Sequence, residues 1–366
     1  MKYKLIGNKY KVSCVGIGGH YSKMEEGEYE ERFATITIDE IKSRTEFIEK
    51  AVKAGITYFD TTWQNEVHML SKVIEQLNNR DEIFVNGMVL GAFAGSEDTG
   101  MEVCDYFNKW LDKRLQVIPG NHFDSIMINA IEERYDEAKC EKLVRLLEKR
   151  RQNGDFEIFG FSCHNSKHAR VVADTFKEFE IIMLPYNFRN RTFETAFKDY
   201  SGNASFVAMK PLIWAEYGIP FCSLNNLPDL EESLGLKPVH NVASLAVNWV
   251  ASKDTITTTV CAINSQEELD QLIEAGSSDI SKQSEAILSS YDNAIQLQNY
   301  IPFFISAIYG NDDNRRKRFF GLINLAKALK VTIPEIPLNI DESDEILSEF
   351  KTKLLVEATK QGFKPL

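Results

Sequence analysis

From Cys14 onward, short apolar runs alternate with longer stretches whose apolar residues return every three or four positions, the periods of buried strands and amphipathic helices. The first run, Cys14–Ile17, is closed by Gly18, Gly19 and His20. An acidic segment from Tyr21 to Thr37 reads as a surface loop, after which Ile41, Phe47, Ile48, Ala51 and Val52 line one face of a helix over Ile41–Ala54. Strand Ile56–Phe59 then precedes helix Glu66–Leu77. Strand Ile83–Val85 precedes a loop carrying Gly91, Gly95 and Gly100 and then helix Met101–Leu115, and strand Phe123–Ile128 precedes helix Tyr135–Gln152. Strand Phe156–Phe161 precedes helix Lys167–Phe179, and strand Ile181–Leu184 precedes a helix near Thr192–Tyr200. Strand Phe206–Met209 precedes a long loop and helix Val242–Ser252, and strand Thr257–Ala262 precedes helix Gln266–Ala275. Eight strand–helix units in roughly 265 residues are the length and order of a (β/α)8 TIM barrel, an α/β fold. A doubly wound open sheet would want a GxGxxG crossing early in the chain, and GIGGHY is only loosely like one. Upstream, Met1–Val12 alternates weakly about Gly7-Asn8, the pattern of an N-terminal β-hairpin that plugs one end of the barrel.

After Ile280 helical spacing persists without strands, over about Ser281–Leu297, Asn314–Leu329 and Asp341–Gln361, with breaks at Pro302, Pro334 and Pro337. The expected organisation is therefore a barrel over 1–280 and a C-terminal helical extension over 281–366 packed on it. A net charge of −12 turns the expectation away from nucleic acid and from anionic membranes. The basic run Arg315–Arg318 reads as a solvated helix face. Six cysteines lie scattered with no CxxC pair, which suits the reduced thiols of a cytoplasmic protein. The N-terminus has no apolar signal core, and no run approaches the roughly 18 apolar residues of a membrane span, so the chain is expected in the cytoplasm.

The candidate chemistry centres on AVKAGITYFDTTWQNEVHML, Ala51–Leu70, where Asp60 sits at the end of a buried strand. A carboxylate there is costly to desolvate and needs a partner or a task. In the plainer alternative Asp60 caps the next helix or pairs with a lysine. The other residues at C-terminal strand ends, the catalytic face of this architecture, are His20, Trp63, Asn86, Asn129, Cys163, His164, Asn187, Lys210 and Asn264. Cys163 beside His164 invites a thiolate, but adjacent residues leaving a strand point to opposite sides, which favours a packed thiol. His20 and Asp60 come from neighbouring strands and form an acid–base candidate, against a histidine merely hydrogen-bonded near a loop. Asp60 with Lys210 would span the mouth. His68, His122, His168 and His240 fall on helices or loops, and no HxH or HxxxH spacing exists among the catalytic-face residues, so no metal is expected.

Taken in order, KLIGNKYKVSCVGIGGH, GITYFDTT, FDSIMIN, FEIFGFSCHN, MLPYN, VAMKPL and VCAINSQEELDQLIEA resemble the aldo-keto reductase superfamily over roughly residues 1–276. The resemblance implies a barrel in which hydride from a nicotinamide cofactor reaches a carbonyl held among tyrosine, lysine, aspartate and histidine. Asp60 matches the aspartate. Where the tyrosine is implied, Thr62-Trp63-Gln64-Asn65-Glu66 runs straight into the next helix, and the lysine and histidine positions read Met88 and Asn129. The Trp63 indole N–H is no acid in the phenol range, and Met88 has no charge with which to lower a neighbour's pKa. Asn129 can still orient a carbonyl. On the cofactor side, Ser162 matches the nicotinamide-amide contact and Lys210 the phosphate-side strand. Ser265, Glu267 and Glu268 remain in the last loop, and Asn264 or Ser265 caps a helix whose N–H groups suit a phosphate. Cys163, Met183, Ala262 and Leu272 depart from the implied residues, so the implied NADP binding is weak or absent. Members with a similar MKPL strand and extension carry a cysteine-ligated iron–sulfur cluster. From Ser281 onward this chain has no cysteine, which excludes one.

Three functions compete. The first is an aldo-keto-reductase-like protein that binds a small polar carbonyl substrate at the barrel mouth through Asp60, His20, Asn129 and Lys210. Its cofactor side would be Ser162, Lys210, Asn264, Ser265 and Glu268, and it would lack ordinary tyrosine-dependent reduction unless Tyr21 or Tyr186 serves as donor. The second is a non-redox acid–base enzyme, for a dehydration, cyclisation or isomerisation, using His20, Asp60 and Lys210. The third is a non-catalytic regulatory or scaffold subunit that docks a protein partner through the C-terminal helices. Barrels host many activities, so fold likeness does not choose among them.

Overall fold

Gly7 and Asn8, both with φ of 57°, turn β1 (Tyr3–Ile6) back onto β2 (Tyr10–Ser13). Two successive left-handed residues suit the twist of a tight hairpin, and glycine with asparagine adopts them at low cost. Ile6 and Val12 then insert among Tyr58, Phe84, Ile158 and Ile181 inside a ring of strands, so the hairpin plugs its N-terminal end. The chain is seen in a computed structural model that describes residues 1–19, 38–188, 190–212, 242–278 and 345–363, with isolated positions between 285 and 332.

The ring comprises β3 (Val15–Gly18), β4 (Tyr58–Thr61), β5 (Phe84–Val89), β6 (Phe123–Ile128), β7 (Phe156–Ser162), β8 (Ile181–Pro185), β9 (Ser205–Met209) and β10 (Ile256–Ala262). All eight run parallel and close in the order β10-β3-β4-β5-β6-β7-β8-β9. Helices cover the outside, so each strand is buried on both faces and reads in sequence as a nearly continuous apolar run. Met88, Met127, Met183, Val207 and Val260 fill the interior above the hairpin, while a larger apolar layer lies between strands and helices. Gly160 on β7 has no room for a side chain, because a Cβ there would lie 1.9 Å from the Ile181 carbonyl oxygen on β8.

The helices are α1 (Ile38–Lys53), α2 (Gln64–Leu77), α3 (Ala92–Thr99), α4 (Val103–Leu115), α5 (Glu137–Gln152), α6 (Ser166–Thr175), α7 (Thr192–Ala196), α8 (Val242–Ala251), α9 (Gln266–Ser277) and α10 (Glu345–Lys360). Two of these helices and one strand depart from the sequence expectation in ways that bear on the site. The glycine-marked loop contains α3, with Gly91 and Gly100 in left-handed caps and Gly95 making room for the Tyr106 ring. Helix α6 stops at Thr175 and not at Phe179, because Phe179 turns inward against Phe159 and Phe161 at centroid distances of 5.8 and 4.9 Å. Strand β5 runs on to Val89, which moves Asn86 from a strand end into the barrel interior. Of the tail, α10 matches the third expected helix and buries Phe350, Leu354 and Ala358 along one face. The expected helices Ser281–Leu297 and Asn314–Leu329, apart from isolated positions, and the run Arg315–Arg318 lie outside the described residues.

Gly160→Ala is expected to destabilise the fold by about 3 kcal/mol or more through backbone overpacking. Gly154→Ala meets no neighbour and costs only its positive φ of 85°, about 1 kcal/mol. Denaturant unfolding of the two variants checks the ranking.

Candidate functional site

Asp60, Asn86 and Ser125 stand in register on β4, β5 and β6. The Asn86 amide donates to Asp60 Oδ1 at 2.6 Å, and the Ser125 hydroxyl donates to Asn86 Oδ1 at 2.6 Å. This ladder lets a carboxylate only 7% exposed sit inside the barrel. Asp60 does not hold the start of α2; Glu66 does. Glu66 Oε2 accepts from the backbone N–H groups of Thr62, at 2.6 Å, and Trp63, at 3.0 Å. The Thr62 carbonyl in turn accepts from the buried Arg114 guanidinium at 2.8 Å. With Trp63 as N-cap and α2 beginning at Gln64, the strand passes into the helix through this charged clamp. Two residues below Asp60, the Tyr58 ring stacks on Phe84, and its hydroxyl is buried with no partner among the described residues. Burial, with the Asp60 charge adding to it, pushes this phenol well above its ordinary pKa.

Met88 occupies the end of β5. Its sulfur accepts from the Thr62 hydroxyl at 3.7 Å and from the Asn129 amide at 3.3 Å. The same Asn129 amide reaches Ser162 Oγ at 3.3 Å, and that oxygen also accepts the Ala130 N–H at 2.8 Å. Asn129 and Ser162 are thus brought together, with Asp60 joined to Asn86 on the neighbouring strands. Cys163 is fully buried, donates its thiol to the Asn165 carbonyl, and is held well above the thiol range by burial and by the Glu132 charge. It is a packed thiol and no thiolate nucleophile.

Glu132, just past the end of β6, went unnoticed in the sequence. Its Oε1 accepts from the His164 backbone N–H at 2.9 Å and lies 2.7 Å from His164 Nδ1. Burial alone would raise this carboxyl; the hydrogen bonds and charge of His164 outweigh it and hold the group at about 2. Glu132 Oε2 is buried without a hydrogen-bond partner among the described residues. Lys210, at the end of β9, is half-buried with a left-handed φ of 60°, and its carbonyl accepts from the Asn187 amide at 3.1 Å. Burial lowers its ammonium to about 7 against the opposing pull of Glu132. Among the described residues, the charge of Glu132 is one that acts on Lys210.

The remaining expected positions are dispersed. His20 and Tyr21 lie outside the described residues. The Tyr186 hydroxyl donates to Glu194 at 2.5 Å within the helical layer, between Phe193 and Trp249, and burial raises it further. Ser265 caps α9 by accepting from Glu268 N–H at 3.1 Å, and Glu268 accepts from the N–H of Asn264, the residue before the cap, at 2.6 Å. Among the described residues no group of His, Cys, Asp or Glu is arranged to hold a metal, and no helix is long and apolar enough to cross a membrane.

The Glu132 carboxyl sits at about 2 in the folded chain against 4.5 for an ordinary glutamate. Its contact with His164 thus contributes about 3 kcal/mol, present in full above the unfolded value and lost as pH falls through the folded one. Glu132→Gln is expected to lose about that much stability at pH 7. The gap to the native chain should close as the pH is lowered from about 4.5 towards 2 in denaturant unfolding.

No protein-family model matches the sequence, and no curated protein matches it. Solved structures do. An aldo-keto reductase from Bacillus halodurans in its holo form superposes with a TM-score of 0.58 at 16% identity, over 79% of this chain and 96% of that one. A thermostable aldo-keto reductase in complex with the inhibitor epalrestat gives 0.59 at 16% identity, over 79% and 99%. An aldo-keto reductase from Klebsiella pneumoniae in complex with NADP and acetate gives 0.56 at 16% identity, over 78% and 93%. The eight-stranded ring, its hairpin plug and these superpositions together give the chain the barrel fold of the aldo-keto reductases.

Proposed function

We propose that this chain binds a small polar carbonyl compound at the C-terminal mouth of its barrel, and that it does not reduce that compound by phenol-assisted hydride transfer. One observation carries this: at the end of β5, where the resemblance implies an ammonium, the Met88 thioether takes the Thr62 hydroxyl and the Asn129 amide. Hydride addition to a carbonyl needs an acid for the developing alkoxide, and a phenol serves only when a neighbouring cation lowers its pKa. Tyr58 is raised by burial inside the barrel, and Tyr186 is raised within the helical layer. Neither is tuned for that task. Asn129, Asp60 and Lys210 remain as polar groups for a carbonyl and its substituents.

A nicotinamide dinucleotide fits the described residues poorly. Cys163 turns its thiol into the protein, and Met183 offers a thioether in place of an amide. At the start of α9 the Glu268 carboxylate occupies the N–H of Asn264 that a phosphate would take. NADP in complex with the Klebsiella enzyme belongs to that protein. A second function, non-redox acid–base chemistry, is favoured by the Glu132–His164 contact at the C-terminal ends of β6 and β7. In this function Glu132 and His164 join His20, Asp60 and Lys210 as candidate proton-moving groups.

NADPH titrated into the protein is expected to show no saturable fluorescence quench below the millimolar range and no consumption with a panel of small aldehydes. Saturable quenching with turnover would restore a reductase.

A further inference from the structure

The hairpin that plugs the barrel also builds a recess beside itself, at the end opposite the mouth. The Gly7 N–H donates to Ser205 Oγ at 2.9 Å, which fixes the turn against the start of β9. The Lys4 ammonium donates to the carbonyls of Ala251, Lys253 and Ile256 at 3.0, 2.6 and 2.6 Å, which fixes β1 against the end of α8 and the entry to β10. Leu5 and Asn8 of the hairpin, Asn203 and Phe206 at the entry to β9, and Thr255 and Thr257 at the entry to β10 wall an open recess of about 300 Å³. That volume is at the lower end of the range for small-molecule sites. Strand β10 is irregular here: Ile256 pairs with Phe206 and Thr258 with Val207, so Thr257 is an extra residue against a single step of β9. Strict alternation would put Ile256 and Val260 on one face. Ile256 instead packs in the layer between strands and helices and Val260 inside the barrel, so the bulge has reversed the alternation. Such a bulge re-aims a side chain, and this one brings Thr257 to the wall of the recess.

We propose that this recess binds a neutral, polyhydroxylated small molecule, a monosaccharide or a cyclic polyol. The site is separate from the carbonyl-binding mouth, since it meets the first residues of β9 and the mouth its last. The chemistry of the walls fixes the class. Among the described residues no ionisable side chain lines the recess, and the ammonium of Lys4, next in sequence to Leu5, is taken up by three carbonyls. A charged ligand would lose hydration there without gaining a counter-charge. The amides of Asn8 and Asn203 and the hydroxyls of Thr255 and Thr257 make no hydrogen bond among the described residues, although Thr257 is only 8% exposed. Side-chain amides and hydroxyls offer donors and acceptors together, which suits ligand hydroxyls that are themselves both. Leu5, 54% exposed, supplies apolar surface for the C–H face of a ring. Phe206 adds to it, held in place by Phe193 and Phe197 at centroid distances of 4.8 and 4.9 Å. The two hairpin ties set the walls before any ligand arrives, so little ordering opposes binding. Neutral hydrogen bonds in an open recess put the dissociation constant in roughly the millimolar range.

The test titrates D-glucose to about 100 mM into the full chain at pH 7 and follows the backbone amides by nuclear magnetic resonance. Saturating shifts are expected at Asn8, Asn203, Phe206, Thr255 and Thr257, with the amides of Asn129, Ser162 and Lys210 at the mouth unmoved. Gluconate, of similar size but anionic, should give no saturation. Thr257→Val keeps the shape of the side chain and should weaken glucose binding about fivefold, the effect of one neutral hydrogen bond. Asn203→Ala, at an exposed position where truncation leaves the fold intact, should weaken it by a similar factor. Glucose shifts that rise linearly without saturation, saturation at the mouth in place of the recess, equal binding of gluconate, or full affinity in both variants would each overturn the site. None of these outcomes bears on the carbonyl-binding function, which the NADPH and aldehyde measurements test separately.

Discussion

An ionised group at the end of a buried strand must be met by a hydrogen bond or an opposite charge, and the mouth of this barrel is arranged around that requirement. Among the described residues five groups face it. Asp60 leans on a ladder of Asn86 and Ser125 that runs across three strands. Glu66 is spent on the two N–H groups at the start of α2, and Arg114 on the carbonyl of Thr62 between them. Glu132 is held by His164, and Lys210 lies within reach of the Glu132 charge. Glu66 and Arg114 are structural, since each uses its charge to fix backbone, and the Asp60 ladder ties its carboxylate to the register of three strands.

The consequence is an asymmetric mouth. On the β4–β5 side a thioether replaces the implied ammonium, and the short clamp at Thr62–Trp63 leaves no loop on which a phenol would project. On the β6–β9 side the charges that remain are mutually coupled. Low local polarity strengthens that coupling.

The barrel was legible in the sequence because strands buried on both faces must be apolar throughout, and because Gly7-Asn8 permits one tight turn. Asp60 was legible as a carboxylate in an apolar setting, and Met88 and Asn129 as departures at implied positions. Asn86 was misplaced because NGMV does not show where a strand ends: the run continues through Met88 and Val89, which puts the amide inside beneath Asp60's carboxylate. Helix α3 was hidden by three glycines, two of which cap it and one of which makes room for the Tyr106 ring. Glu132 carried no periodic signal at all. Its importance comes from β6 and β7 being neighbours, which brings it to His164 across 32 positions of sequence, and only the closed fold supplies that.

The coupling of Lys210 to Glu132 is the centre of this account, and a nuclear magnetic resonance titration of the Lys210 side chain measures it directly. The ammonium should titrate near pH 7, and in Glu132→Gln its midpoint should move lower still, because the carboxylate that favours the charged form is gone while burial remains. A midpoint in the ordinary lysine range near 10.5, or one that Glu132→Gln leaves unmoved, would contradict the account.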